Sequence, residues 1–396
     1  MSAPSARDFP QSIVVIDDDD STPEILKKCA EKMGVPVIHT FDDGRAGWDF
    51  LAQNTVEFVI LDWKLPSVSG LALFNRLRTL TLFSDTPVMV VSGYLQAKDF
   101  SLLDELPFTA LAEKPFNEAF LTRRVKELTR DWHWFMDEKT SIEDAIDAID
   151  TMGAKAFYAI RYLVERAPRP IPLGIYAARA LRLKGFFGEA EQLLKQVLRI
   201  APDCLPALSE MGKIMLQTKR LAEGAAFLRN AQRVSPDNLD RLCMLGDVSM
   251  QALDPEKAQT YFQHALTIDG ESLTANAGLQ LAQNIESYLT SANITTIPAN
   301  FASLLNAVGI SLVRAGKFED GIRHYRAAMT YLSDIDLKSK LAYNLGLAYL
   351  RWKKPTDAAV WFQEAVQLSN GGLDKAQRYL DKLNKEDATI DQTDVA

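Results

Sequence analysis

Cysteine is scarce in this chain of 396 residues, with only Cys29, Cys204 and Cys243. They are odd in number, widely spaced and form no Cys-x-x-Cys pair, which argues against a disulfide framework or a thiolate zinc site and leaves buried, inert thiols as the expectation. Long hydrophobic runs are also missing. No window approaches the roughly 18 apolar residues that a membrane-spanning helix needs, and the first residues, Met1 to Asp8, lack the apolar core of a secretory signal. A soluble, cytoplasmic protein without membrane contact is expected. There is no positive excess either: the net charge is −8, which disfavours a nucleic-acid binder that tracks phosphates. The four histidines, His39, His133, His264 and His324, show no metal-ligand spacing. No nucleophile elbow, phosphate loop or DNA-reading helix-turn-helix occurs. The chain is too long for one ordinary core, so two or three domains are expected.

Residues 13 to about 130 alternate short apolar runs with amphipathic segments, the grammar of a parallel sheet wrapped by helices. The strand candidates are Ile13–Ile16, Val35–Ile38, Phe58–Leu61, Val88–Val91 and a stretch ending at Ala112. Helical patterns fall at Glu24–Met33, Gly44–Gln53, Leu71–Leu80 and from Asn117 onward. Ser21 and Glu24 form a capping box at the first of these, with Pro23 where a missing N–H costs little. The pattern predicts a doubly wound (βα)5 fold, in which reactive groups collect at the carboxyl ends of the strands.

The residues at those ends carry chemistry. Asp17 to Asp20 follow the first strand, and carboxylates so crowded call for a cation or water to relieve their repulsion. Mg²⁺ is the natural choice, since two or three oxygen ligands suffice for a cation that keeps several waters. Asp62 ends the third strand, Ser92 the fourth and Lys114 the fifth. One hydroxyl and one ammonium thus converge on three acids, which is what a carboxylate nucleophile needs to accept a phosphoryl group. Asp19 and Asp20 read as solvated turn residues.

In order, strand context and spacing, Asp17, Asp18, Asp62, Ser92 and Lys114 resemble the active-site set of the response-regulator receiver family, over roughly residues 10–131. The resemblance implies a flavodoxin-like α/β domain with Asp62 as phospho-acceptor. It implies Mg²⁺ held by Asp18, Asp62 and the Lys64 backbone carbonyl, with Asp17 acting mainly through water. Ser92 would bond the phosphoryl group, Lys114 would pair with it, and Lys64 and Tyr94 would influence its lifetime. The Lys114-Pro115 bond would be cis. The chain departs from the family's pattern at Leu111, where many receivers carry an aromatic switch residue; Phe108 or Tyr94 is the alternative route.

After residue 135 everything reads as helix. Trp132, Trp134 and Phe135 are expected to pack at the seam, and residues 132–170 to form a helical linker. Ala178, Gly212 and Gly246 are spaced by 34, as are Pro202 and Pro236. Second-helix positions repeat too: Ala190 and Leu194; Gly224, Leu228 and Ala231; Ala258, Phe262 and Ala265. Further units place Gly309 with Tyr325 and Ala328, and Gly346 with Phe362 and Ala365. Small residues where two helices cross and large ones beside them form a packing code that resembles the tetratricopeptide repeat family over about residues 171–270 and 302–370, with 271–298 an irregular unit. An all-α superhelical array over 171–384, ending in a capping helix and a disordered acidic tail at 385–396, is the expectation.

Carried over from that family, first-helix positions Arg179, Arg182, Lys213, Asp247, Asn306, Arg314, Asn344 and Arg351 would line a groove for a protein or peptide, of mildly basic character. A solvated helix face is the competing reading for each. The sequence thus reads as a signalling switch: a histidine kinase or another phosphodonor loads Asp62, and the array's protein binding responds. No DNA contact and no enzymatic output are expected beyond the receiver's own phosphotransfer and dephosphorylation, and a homodimer through the receiver is left open. A constitutive scaffold with an unphosphorylated receiver fold, and RNA binding by the repeats, are the other readings.

Overall fold

The computed structural model describes residues 8–19, 22–80, 83–291, 301–332 and 334–390. Ser21 of the expected capping box lies outside them, as do Asp20, the last residues of the irregular unit and the end of the acidic tail. The chain divides into two compact bodies, Met1–Arg241 and Leu242–Ala396.

The first body opens with β1 (Ser12–Ile16), α1 (Thr22–Lys32), β2 (Val37–Phe41), α2 (Gly44–Leu51) and β3 (Phe58–Asp62). It continues with α3 (Gly70–Thr79), β4 (Val88–Ser92), α4 (Ala97–Asp104), β5 (Thr109–Glu113) and α5 (Glu118–Asp147). The strands form one parallel sheet in the order β2-β1-β3-β4-β5. Because side chains alternate across a strand, Ile13 and Val15 enter a core with Leu26, Val125 and Leu128 of α1 and α5. Val14 and Ile16 enter the opposite core with Leu51, Leu73 and Leu102 of α2, α3 and α4. Two buried faces explain why β3 and β4 read as unbroken apolar runs.

Two details differ from the sequence reading. β2 begins at Val37 rather than Val35, because Pro36 has no N–H to give the ladder; Val35 is buried ahead of the strand while Val37 on this edge is exposed. The helix α4 was not legible from periodicity. It is only eight residues long, and its start is fixed locally by Asp99, whose Oδ2 accepts the Gln96 N–H at 2.8 Å.

α5 runs for 30 residues, well beyond the sheet. Phe135, fully buried on it, meets Phe108 at a ring separation of 5.0 Å and Tyr176 at 5.5 Å. Trp132 and Trp134 pack half-buried against the same cluster. There follow α6 (Ile149–Met152), α7 (Ala154–Arg166), α8 (Pro170–Leu183), α9 (Phe187–Ile200), α10 (Leu205–Gln217) and α11 (Leu221–Val234). α12 (Leu239–Gln251) starts at the end of this body. Cys29 and Cys243 are buried, but Cys204 is only half-buried.

The second body comprises α13 (Pro255–Ile268), α14 (Leu273–Ser291), α15 (Phe301–Arg314) and α16 (Phe318–Tyr331), then α17 (Ile335–Arg351), α18 (Pro355–Leu368) and α19 (Asp374–Ile390). α19 is thus helical past residue 385, where a disordered tail was expected; 391–396 lie outside the described residues.

The packing code is physical. A Cβ on Gly212 would come within 2.8 Å of Leu228, on Gly309 within 2.2 Å of Tyr325, and on Gly346 within 2.6 Å of Phe362. Phe262 is gripped from two sides, since a Cβ on Gly246 would stand 2.6 Å from its ring and one on Gly278 of α14 2.4 Å. Gly278 therefore extends the repeat logic into the irregular unit, at a spacing that the 34-residue period does not reveal.

His324 on α16 is fully buried, with Nδ1 3.4 Å from the Asn284 amide and Nε2 without a hydrogen-bond partner among the described residues. Burial pushes its pKa from 6.5 down to about 4. Above pH 6.5 neither the folded nor the unfolded chain protonates it. Below that the unfolded chain binds a proton the folded one refuses, so stability falls, at about 1.4 kcal/mol per pH unit, until the folded ring titrates near pH 4. Urea unfolding followed from pH 7 to 4 should show a gentler acid loss in His324→Phe than in the wild type; parallel curves would contradict this account.

Candidate functional site

The sheet register sets the site. Ile16 lies opposite Leu61, so Asp17 leaves β1 beside Asp62 at the end of β3. Asp62 in turn lies opposite Val91, and Ser92 opposite Glu113, one residue before Lys114. Three ligand oxygens, one each from Asp17, Asp18 and Asp62, fall within 4.8 Å of one another. Asp17 is fully buried, Asp62 is 6% exposed and Asp18 is open to solvent.

Lys114 is the counter-charge. Its Nζ stands 2.6 Å from Asp62 Oδ2 and donates to Asp17 Oδ1 at 3.0 Å. Burial works to lower the ammonium's pKa, but the hydrogen bonds with Asp17 and Asp62 outweigh it and hold it above the ordinary lysine value. At Asp17 desolvation wins over Lys114 and raises the carboxyl's pKa. Asp17 Oδ2 lies 2.8 Å from the ammonium yet has no hydrogen bond among the described residues. A buried, partly unsatisfied carboxylate oxygen beside two further carboxylates fits the hard-cation ligand set, and Mg²⁺ held by Asp18, Asp62 and Asp17 would supply the second positive charge. The other oxygen of Asp62, Oδ1, accepts the Lys64 N–H at 2.8 Å, which turns the chain sharply after the strand.

The loop after Asp62 is held from both ends. Ser67, at φ +62°, donates to Asp43 Oδ2 at 2.5 Å, while Asp43 Oδ1 caps α2 by accepting from Arg45 and Ala46. Gly70, which opens α3, is packed so tightly that a Cβ there would fall 2.1 Å from the Asp62 carbonyl oxygen and 2.6 Å from the Trp63 Cα. This positioning residue was not singled out from sequence; its signal is a glycine at a helix start, eight positions beyond the acid.

Ser92 is at the strand end, but its hydroxyl donates to the Tyr94 carbonyl at 2.9 Å and accepts the Tyr94 N–H at 3.2 Å. Gly93 beside it is open. The Lys64 ammonium lies 5.6 Å from the exposed Tyr94 ring. The Lys114-Pro115 bond is cis. Leu111 is half-buried against the α2–α3–α4 core, and Phe108 is locked against Phe135.

Residues 13–126 match the family model of the response regulator receiver domain, and residues 181–245 and 307–372 match tetratricopeptide repeat models. The chain joins a receiver domain to tetratricopeptide repeats. Its receiver is 30% identical over 122 residues to the transcriptional regulatory protein CpxR of Escherichia coli K12, covering 31% of this chain and 50% of that one. It is 28% identical over 81 residues to a chemotaxis protein CheY homolog of Campylobacter jejuni, covering 20% and 62%. The chain therefore spans about half to three-fifths of these relatives' length. Among solved structures, a tetratricopeptide repeat protein of Parabacteroides merdae aligns at 14% identity over 63% of this chain and 98% of that one, with a TM-score of 0.38.

The positions expected to line the array's groove are dispersed in their surroundings. Arg182 is buried, and its Nε donates to Glu210 Oε2 at 2.9 Å; Arg179 at 3.3 Å and Lys213 at 3.2 Å reach the other oxygen. Burial alone would raise the Glu210 carboxyl, but Lys213, Arg179 and Arg182 together pull it down to about 2. Lys213 also pairs with Asp240 at 2.8 Å. These three cations are thus drawn into one cluster with two acids, Glu210 and Asp240. Asn344 donates to Asn306 at 2.9 Å, Asp247 accepts from Gln251, and Arg314 and Arg351 are exposed.

Gly70→Ala should push backbone against backbone and displace the strand end that carries Asp62, at a cost of roughly 1–3 kcal/mol. Calorimetric titration with Mg²⁺ should show affinity reduced by about tenfold or more at a lowered melting temperature. Wild-type affinity in the variant would show that the close approach does not position Asp62.

Proposed function

We propose that this protein is a phosphorylation-dependent response regulator, phosphorylated at Asp62, whose repeat array is a protein-binding output. The observation that carries the reading is the placement of Asp62 against Lys114 and the Asp17–Asp18 pair. A carboxylate can attack a phosphoryl group only if the incoming oxygens are neutralised, and here an ammonium and a cation-binding acid pair flank the nucleophile. In the reaction a carboxylate oxygen of Asp62 forms a bond to phosphorus while the bond to the donor, the imidazole of a histidine kinase or a small acyl phosphate, breaks; the donor leaves with the electron pair. Water later attacks the acyl phosphate, returning the carboxylate and inorganic phosphate. Lys114 holds a phosphoryl oxygen, and Ser92, released from Tyr94, holds another. Bound Mg²⁺ would supply charge neutralisation.

A constitutive scaffold is the second reading, motivated by Leu111 and by the inward turn of the Ser92 hydroxyl. In RNA binding, by contrast, free cations would be needed to track phosphates, and Arg179, Arg182 and Lys213 are already paired with Glu210.

Incubation with acetyl phosphate and Mg²⁺ should add one phosphoryl group, labile in alkali and seen by intact mass. It should be absent in Asp62→Ala and reduced at least tenfold by a chelator. A gain that persists in Asp62→Ala, or none in the wild type, would overturn the assignment.

A further inference from the structure

We propose that the corner between α11 and α12, residues Ser235–Arg241, is a latch seated on α3 and α4 of the receiver, and that loading Asp62 releases it. The inference rests on the acceptor reading above and concerns how its signal leaves the site.

The two helices that depart from the acceptor loops both touch this corner. α3 follows the Asp62–Ser69 loop, and its Asn75, 7% exposed, accepts the Leu239 N–H at 3.1 Å. That N–H belongs to the first turn of α12, where a helix has no internal acceptor to offer. α4 follows Ser92. Near its start Lys98 pairs with Asp237 at 2.8 Å, and directly after its end Glu105 takes two hydrogen bonds from Arg241, both at 2.8 Å, and one from Asn238 at 3.0 Å.

Arg241 is fully buried and every guanidinium donor is placed. Besides Glu105 it bonds Gln232 and Ser209 at 3.0 and 3.1 Å, and the Ser235 carbonyl. A fork of five donors satisfied in one geometry is a two-state element: a small shift of Glu105 cannot be followed without breaking it. Six side chains, Asn75, Lys98 and Glu105 on one side and Asp237, Asn238 and Arg241 on the other, thus join the receiver to one corner of the array.

The direction follows from Ser92. In the latched structure its hydroxyl is bonded to Tyr94 within the loop that leads to α4. Holding a phosphoryl oxygen on Asp62 requires the hydroxyl to give up both bonds to Tyr94, which frees the turn that leads into α4, the helix bracketed by Lys98 and Glu105. The latch and the loaded site are therefore alternatives, and by linkage each weakens the other.

Beryllium fluoride with Mg²⁺ serves as the probe, on the full chain, with bound fluoride followed by fluorine NMR and backbone amides by hydrogen exchange. In the wild type, saturation should speed exchange of the Leu239 amide and its neighbours at least tenfold, with no effect in Asp62→Ala. Glu105→Gln/Arg241→Met removes the fork without leaving one buried charge alone; there the corner should exchange fast without the probe, and the probe should bind several-fold more tightly. Lys98→Ala, a surface change that spares the core, should shift both readouts in the same direction by less. If no bound fluoride appears in the wild type, the acceptor reading fails and the latch with it. If fluoride binds but exchange at the corner stays as it was, or the double variant binds the probe no better, the latch alone is overturned.

Discussion

Three carboxylates meet at the carboxyl edge of a parallel sheet, and the receiver is arranged around the charge this gathers. Two neighbouring strands, β1 and β3, cannot avoid placing Asp17 beside Asp62 once their register is set. Burial makes Asp17 harder to ionise, and the like charge of Asp62 adds to it. Lys114 meets the repulsion from the far strand, reaching across from β5. Its long apolar stem lets one ammonium serve two acids while the backbone around it stays in the sheet. The site is thus poised: a cation or a phosphoryl group that arrives meets carboxylates already held in place by the sheet and by Gly70.

The sheet and the gathering of Asp17, Asp18, Asp62 and Lys114 were legible because each depends on local pattern. Apolar runs report strands buried on both faces, and a reactive residue directly after each run reports its strand end. What was not legible depends on contacts between distant segments. Gly70 looks like any glycine before a helix until the Asp62 carbonyl is placed against it. α4 is too short for its periodicity to stand out, and its capping residues, Gln96 and Asp99, are not the usual Ser or Thr pattern. The seating of Ser92 on Tyr94 is a choice of side-chain rotamer, which no spacing encodes.

The array divides in the same way. Small-against-large packing repeats in sequence because every helix pair meets the same steric problem, so Gly212, Gly309 and Gly346 could be read off together with their partners. Charge does not repeat like this. Arg179 and Lys213 stand one repeat period of 34 residues apart, yet both, with Arg182, reach one buried acid, Glu210. A mildly basic set of positions in sequence is therefore a poor guide to how freely its charges face solvent, because carboxylates of the next helices can draw them into ion pairs.

Leu111 is easier to understand in this light. An aromatic switch works by rotating into space that a serine vacates, and leucine has no ring to rotate. A receiver whose α3 and α4 are tied directly to the next domain has less need of one. The rearranged loop can act through helices that are already anchored at both ends. Phe108 packs against Phe135 in the core that carries α5 into the linker, where motion would disrupt packing. The signal is better carried by polar contacts, which can exchange one set of partners for another, than by a close-packed interior that loses contacts with any shift.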